Sequence, residues 1–324
     1  MLYIVTNIFD ICKVCFTFGK SNFTNMKTQF LFPRLFRYIG YLLAFPGFVL
    51  GYFVVYQKYQ IAALSFEIRR QRTLLLGTTE NFTNELALAL VIIGLIFIAF
   101  SKTRKEDELT GKIRLNSLYW AVLVNFAGYA AFMALSFINL FIKWEPITQV
   151  LNAINNGDAF LIYNFYTPLV IFIARFYYLL YKNKTNCQVP EIHLLKHVPF
   201  NIIGKWLSLT IIAIITFNLI FTQNNTVDNI YWVLPLTLLL WVYAKEKNED
   251  EYINALRLDA MQIAVYTNYA ILLFSNFLFY GIDFLLIQII NFVTIPLIFQ
   301  VRFQYLLYCL RRQDARNGVT LSCL

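Results

Sequence analysis

Two segments of this chain are written twice, in the same order. Residues 106–127 read EDELTGKIRLNSLYWAVLVNFA and residues 249–270 read EDEYINALRLDAMQIAVYTNYA; at a constant offset of 143 (249 − 106), 9 of 22 positions are identical. Residues 164–181 (NFYTPLVIFIARFYYLLY) and 291–308 (NFVTIPLIFQVRFQYLLY) match at an offset of 127 (291 − 164), with 11 of 18 positions identical. Two matched segments in one order mark a tandem duplication of a single structural unit. Whatever the first half folds into, the second half folds into as well.

The repeated segments lie in a chain suited to lipid. Hydrophobic residues are 59% and charged residues only 14%, where soluble domains carry about 25% charged residues. The apolar residues come in runs near the length of about 20 needed to cross hydrocarbon. Eight runs are read: 38–55, 86–100, 117–142 and 160–181 in the first half, and 202–221, 230–244, 261–280 and 284–307 in the second. A transmembrane barrel would show short alternating segments instead. The expected fold is all-α, a polytopic transmembrane helical bundle of about eight spans arranged as two four-helix repeats.

Basic residues orient the bundle. With both termini in the cytoplasm, the inner segments and inner helix ends hold 22 Lys and Arg and the outer segments hold 5, which together make the 27 of the chain. That bias is the one expected of cytoplasmic loops and places the termini inside. The net charge of +9 is therefore a topology signal. Nucleic-acid binding would need a basic face on a soluble domain, and no such domain is written here. Four helices per unit is an even number, so both copies enter the membrane in one direction, as parallel repeats. The expected location is the inner membrane.

The chain divides accordingly. Residues 26–182 form the first membrane unit, 183–200 a cytoplasmic linker, 201–310 the second unit and 311–324 a basic tail. Residues 1–25 have no counterpart in the second copy, and Met26 is a plausible alternative start, so this piece reads as an extension outside the repeat. Its Cys12-x-x-Cys15 has no second ligand pair, which argues against metal. His193 and His197 have i,i+4 spacing, but Pro199 interrupts the helix that would align them. No HExxH, GxSxG or P-loop pattern occurs, so no motif calls for a cofactor. The outer segment 57–84 is the longest external one, and its part from Tyr59 to Leu76 is a candidate interfacial helix.

The polar residues of the repeats give the candidate site. On the third helix Asp107, Arg114, Leu118 and Asn125 are spaced by 7, 4 and 7, which keeps them on one face at 100° per residue; Asp250, Arg257, Met261 and Asn268 repeat the stripe. On the fourth, Asn164 and Arg175 are 11 apart, as are Asn291 and Arg302. Two readings stand. In one, Arg114, Arg175, Arg257 and Arg302, with Asn125, Asn268, Asn164 and Asn291, surround an anionic ligand or lipid headgroup near the inner leaflet; intramembrane arginines are costly and mark function. In the other, Arg175 snorkels to the interface, the acids Asp107, Glu108, Asp250 and Glu251 pair with the arginines, and the asparagines bond between helices. Pro168 and Pro296 fall in the corresponding fourth helices, where a shared kink is expected.

The EDE triplet, the Arg-Leu, Ala-Val and Asn that follow, and the RFxYLLY helix end resemble a group of uncharacterised integral membrane proteins seen in Bacteroidota-type bacteria. There the segment takes a form close to EDEYIxxLRLxSLQxAVxxNY. The resemblance is best over residues 86–182 and 230–312. It implies a membrane protein and brings no activity with it. Gly111 in the first copy and Gln304 in place of Tyr177 in the second depart from the pattern.

Function is narrowed more than it is named. Paired catalytic groups are missing, which disfavours an intramembrane enzyme. Acidic residues avoid the spans, which disfavours proton-driven transport. The sequence favours a non-enzymatic regulatory, sensory or interaction protein whose partners are the bilayer, anionic lipid as a candidate among its components, and a cytoplasmic protein. The alternative is a transporter or channel with a pathway between the repeats.

Overall fold

The computed structural model describes residues 31–67, 79–104, 106–142, 145–146, 148–149, 165–182, 194–218, 221, 233–247, 250–279 and 282–316. The extension 1–25 with its Cys12-x-x-Cys15, and Asn164, His193 and Glu249, lie outside the described residues.

The protein is helical. Eight α-helices occur among the described residues: α1 Leu35–Gln57, α2 Thr83–Ala99, α3 Glu108–Ile142, α4 Thr167–Lys182, α5 Ile202–Phe217, α6 Leu234–Val242, α7 Glu251–Leu278 and α8 Ile282–Arg316. Among the described residues, three segments are long and apolar enough to cross a membrane: Leu35–Gln57, His197–Phe217 and Ile290–Arg312. The apolar α2 falls just short at 17 residues. Helix α3 has 35 residues, about 52 Å at 1.5 Å per residue, against about 30 Å of hydrocarbon. It runs unbroken from the acidic triplet inward, because Glu108–Ile142 contains no proline.

Two expectations change. The outer segment is not a continuous interfacial helix. Lys58 closes α1 with a left-handed backbone (φ 52°), a single 3-10 turn covers Ala62–Leu64, and Ser65–Glu67 pairs antiparallel with Thr79–Asn81. Asn81 holds this corner, donating from Nδ2 to Ile61 O (2.9 Å) and Ser65 Oγ (2.8 Å). The kink expected to be shared by the fourth helices is not shared: Pro296 lies inside α8, whereas Pro168 is the second residue of α4, where its missing N–H costs no helical bond.

The chain separates into two compact units. One contains α1 to α4 together with residues 272–288; the other contains α5, α6, α7 up to Ile271 and α8 from Ile289. In the first, α1 and α2 approach until their backbones touch. A Cβ on Gly94 would lie 2.6 Å from Ala44 N and 2.8 Å from Gly40 O, and one on Gly47 would lie 2.9 Å from Val91 N. Small residues permit such approach, and it is the usual way apolar helices gain contact in lipid. The outward face of α1 stays open and apolar, with Leu42 and Phe45 each 74% exposed.

In the second unit α5 meets α6 in the same register. A Cβ on Gly204 would lie 2.7 Å from Trp241 N, as one on Gly40 would lie 3.0 Å from Ile98 N. Ser208 donates to Thr237 Oγ1 (3.2 Å) where Ala44 meets Gly94. Ile211 packs with Leu234 where Gly47 meets Val91. The α2 and α6 positions differ by 143 and the α1 and α5 positions by 164.

The chain ahead of each first helix is pinned to the chain after each second helix. Phe32 N donates to Phe100 O (3.0 Å) and Lys102 N to Phe32 O (2.9 Å); Leu195 N donates to Tyr243 O (2.8 Å) and Lys245 N to Leu195 O (2.9 Å). Side chains reinforce both ladders. Arg37 Nη2 donates to Lys102 O (3.0 Å), and Asn201 Nδ2 donates to Lys245 O (3.2 Å) beside His197 Nδ1 on the same carbonyl (2.9 Å). Backbone left unpaired near a membrane would cost several kcal/mol per group.

Candidate functional site

The third helix of each unit starts on an aspartate. Asp107 Oδ1 accepts from Thr110 N (2.8 Å) and Thr110 Oγ1 (2.7 Å), and Asp250 Oδ1 accepts from Ile253 N (2.7 Å). This is the N-cap bond from a short polar side chain to the third residue on, which satisfies an otherwise orphan amide. Glu108 is exposed in the first turn, where a carboxylate suits the helix dipole. Asp107 and Asp250, expected opposite arginines, are thus helix caps. Glu251 begins α7 in the matching place.

Two turns on, one arginine in each unit is fully buried. Arg114 donates from Nη1 to Ala99 O (3.2 Å), the last residue of α2, and its Cζ lies 4.7 Å from the centre of the Phe176 ring on α4. Arg257 donates from Nη1 to Val242 O (3.2 Å), the last residue of α6, with its Cζ 4.7 Å from the Phe303 ring on α8. The carbonyl partners differ by 143 and the rings by 127. Each guanidinium therefore joins three helices: it caps the negative C-terminal end of the second from the third, under an aromatic face of the fourth. Arginine suits the place because its charge is delocalised and weakly hydrated and its donors form a planar fork.

The second fork atom differs between the copies. Arg114 Nη2 pairs with Glu106 Oε1 (2.8 Å), whose Oε2 accepts from Thr103 N and Thr103 Oγ1 (both 2.9 Å). Arg257 Nη2 donates to Ala244 O (3.0 Å). Behind the rings, Phe172 stacks on Phe176 at 5.7 Å and Phe299 on Phe303 at 5.4 Å.

The fourth-helix arginines face the third helix one step further. Arg175 donates from Nε and Nη2 to Asn116 Oδ1 (3.2 and 3.0 Å) and lies 4.6 Å over the Trp120 ring. Arg302 Nη2 pairs with Asp259 Oδ2 at 3.2 Å. Asp259 sits two residues ahead of the 261–280 run; burial pushes its carboxyl up and the Arg302 guanidinium pulls it down.

Arg114 and Arg257 are consumed by carbonyls, rings and Glu106, and each is enclosed within its own unit. Asn125 is half-buried, while Asn268 is buried and its two side-chain polar atoms have no hydrogen-bond partner among the described residues. Asn291 is half-buried on α8. Among the described residues the acids that pair with arginines are Glu106 and Asp259, which were not among those expected. A signal for one of them stands in the sequence: Asn116 and Asp259 occupy the same repeat position, right after the identical Arg-Leu, and share a shape while differing in charge.

Comparison of the chain with protein-family models, with curated proteins and with solved structures gave no match.

Proposed function

We propose that this chain is a tandem duplicate of one four-helix membrane unit. Its eight helices span the inner membrane as parallel repeats, with both termini in the cytoplasm, and it acts as a non-enzymatic interaction or regulatory protein. The carrying observation is the buried arginine junction, formed twice at the same repeat positions. In each unit it fixes the ends of three helices on one side, and the paired ladders at residues 32–102 and 195–245 stand beside it. The 22-to-5 distribution of basic residues makes that side cytoplasmic. The resemblance to the Bacteroidota-type family agrees with this architecture and adds no activity.

The helix caps and junctions on the cytoplasmic rim of each unit support the interaction reading over transport. The polar stripe residues on that rim serve as caps and helix junctions, and exposed groups such as Lys102, Glu108 and Lys247 surround them. A photo-crosslinker at Lys102 and at Lys247 in native membranes is expected to give one discrete adduct with a second protein from both positions. Solute flux through reconstituted vesicles, with no adduct from either position, would assign transport instead.

A further inference from the structure

We infer that the cytoplasmic-side junction of α3 and α4 in the first unit binds the phosphodiester headgroup of an anionic phospholipid, and that the corresponding junction of the second unit does not. This rests on the membrane arrangement proposed above, which sets Arg175 at the inner leaflet.

The two junctions have the same frame and a different charge balance. Arg302 faces a carboxylate, Asp259, at 3.2 Å and is 6% exposed. Arg175 faces Asn116, whose oxygen accepts two bonds from the guanidinium but carries no charge to offset it. Arg175 is also half-buried rather than buried. Nη1, on the side away from these two bonds, has no bond among the described residues; Arg302 Nε and Nη1 also lack one there, but both are buried.

The surroundings differ in the direction a lipid would require. Arg175 stacks over Trp120, which is 41% exposed, and Tyr178 beside it is 59% exposed. The residue at the Trp120 position in the second unit is Ile263. Lys182 is exposed two turns further along α4. Trp and Tyr at headgroup level, with an arginine fork and a lysine on the cytoplasmic side, suit a phosphate in an anionic leaflet. Arginine holds phosphate oxygens by paired charge-assisted bonds. A carboxylate at position 116 would neutralise the fork and close the site from within, which is the state of the second unit.

The test uses the full chain in bilayer nanodiscs of phosphatidylcholine with and without phosphatidylglycerol, reading retained lipid by native mass spectrometry and stability by thermal melt. The wild type should retain phosphatidylglycerol over phosphatidylcholine by about fivefold, the ratio that corresponds to about 1 kcal/mol for a basic residue at an anionic surface. Asn116→Asp should abolish that preference while melting in phosphatidylcholine at or above the wild-type temperature, since the second unit folds with this residue. Arg175→Gln should also lose the preference. Undiminished preference in Asn116→Asp overturns the inference. So does an equal rise in melting temperature from inorganic phosphate in neutral nanodiscs, which would make the site one for free anions, or an adduct of Arg175 with a cytosolic carboxylate protein that lipid does not displace. A wild type that inserts but shows no lipid preference defeats only this inference; a chain that fails to insert into bilayers defeats the membrane arrangement itself.

Discussion

Arg257→Ala should destabilise the protein by about 3 kcal/mol, because it leaves the carbonyls of Val242 and Ala244 without their donors in a buried place, at about 1–3 kcal/mol each. The loss also empties the space under the Phe303 ring. Arg257→Met refills most of that space and leaves the carbonyls orphaned, so it should fall between the wild type and alanine. Arg257→Lys keeps a charge but not the fork, and should likewise be intermediate. Thermal melts in one detergent separate the four proteins. If the arginine merely rested at the interface, all three variants would melt with the wild type. Arg114→Ala should cost at least as much, since it also strips Glu106 of its cation.

Gly94→Val should prevent the first unit from assembling. Its first added carbon would lie 2.6 Å from Ala44 N and 2.8 Å from Gly40 O, both backbone atoms that cannot turn aside. Overpacking of this kind costs about 1–3 kcal/mol even where side chains can yield, and here the helices themselves must part. The control is Gly111→Ala in α3, where a Cβ meets nothing within 4 Å; it should stabilise by up to about 1 kcal/mol through helix propensity. Yield of monodisperse protein after extraction reads both. Normal yield of Gly94→Val would mean that the α1–α2 contact does not hold the unit together.

The sequence made the third and fourth helices legible as repeats and left the first hidden, for a physical reason. In α3, α4, α7 and α8 the arginines and the rings stacked beside Arg114 and Arg257 keep side-chain identity at paired positions, since arginine forks and stacked rings tolerate little change. In α1 and α5 the paired positions are Gly40 and Gly204, Ala44 and Ser208, and Gly47 and Ile211. There the first two pairs need only small size, and the outward faces can drift among any apolar residues. The offset also moves from 143 to 164 across the outer segment, which breaks a fixed-register comparison. The arginines stood out as residues of consequence, but their main partners were unreadable. Ala99 O and Val242 O are backbone atoms, and no residue type announces a carbonyl. The acidic triplet was legible as a group and not by member: Asp107 caps α3, whereas Glu106 takes the arginine. The Tyr59–Leu76 stretch mixed apolar and charged residues in a way that suggested a helix, whereas over Ile61–Glu67 the Asn81 bonds and the pairing with Thr79–Asn81 hold a turn and a strand.

The proposed parallel duplication in a membrane makes one demand that a single labelling experiment meets. Residues at matching repeat positions, which are 143 apart over α2 and α3, must lie on the same side of the bilayer. In a cysteine-free background, single cysteines at Glu80 and Gln223 form one such pair, and cysteines at Lys102 and Lys245 form another. A membrane-impermeant maleimide applied to intact cells should modify both members of the first pair and neither member of the second until the cells are opened. Modification of one member of either pair without the other would contradict parallel repeats, and external modification of Lys102 or Lys245 would contradict cytoplasmic termini.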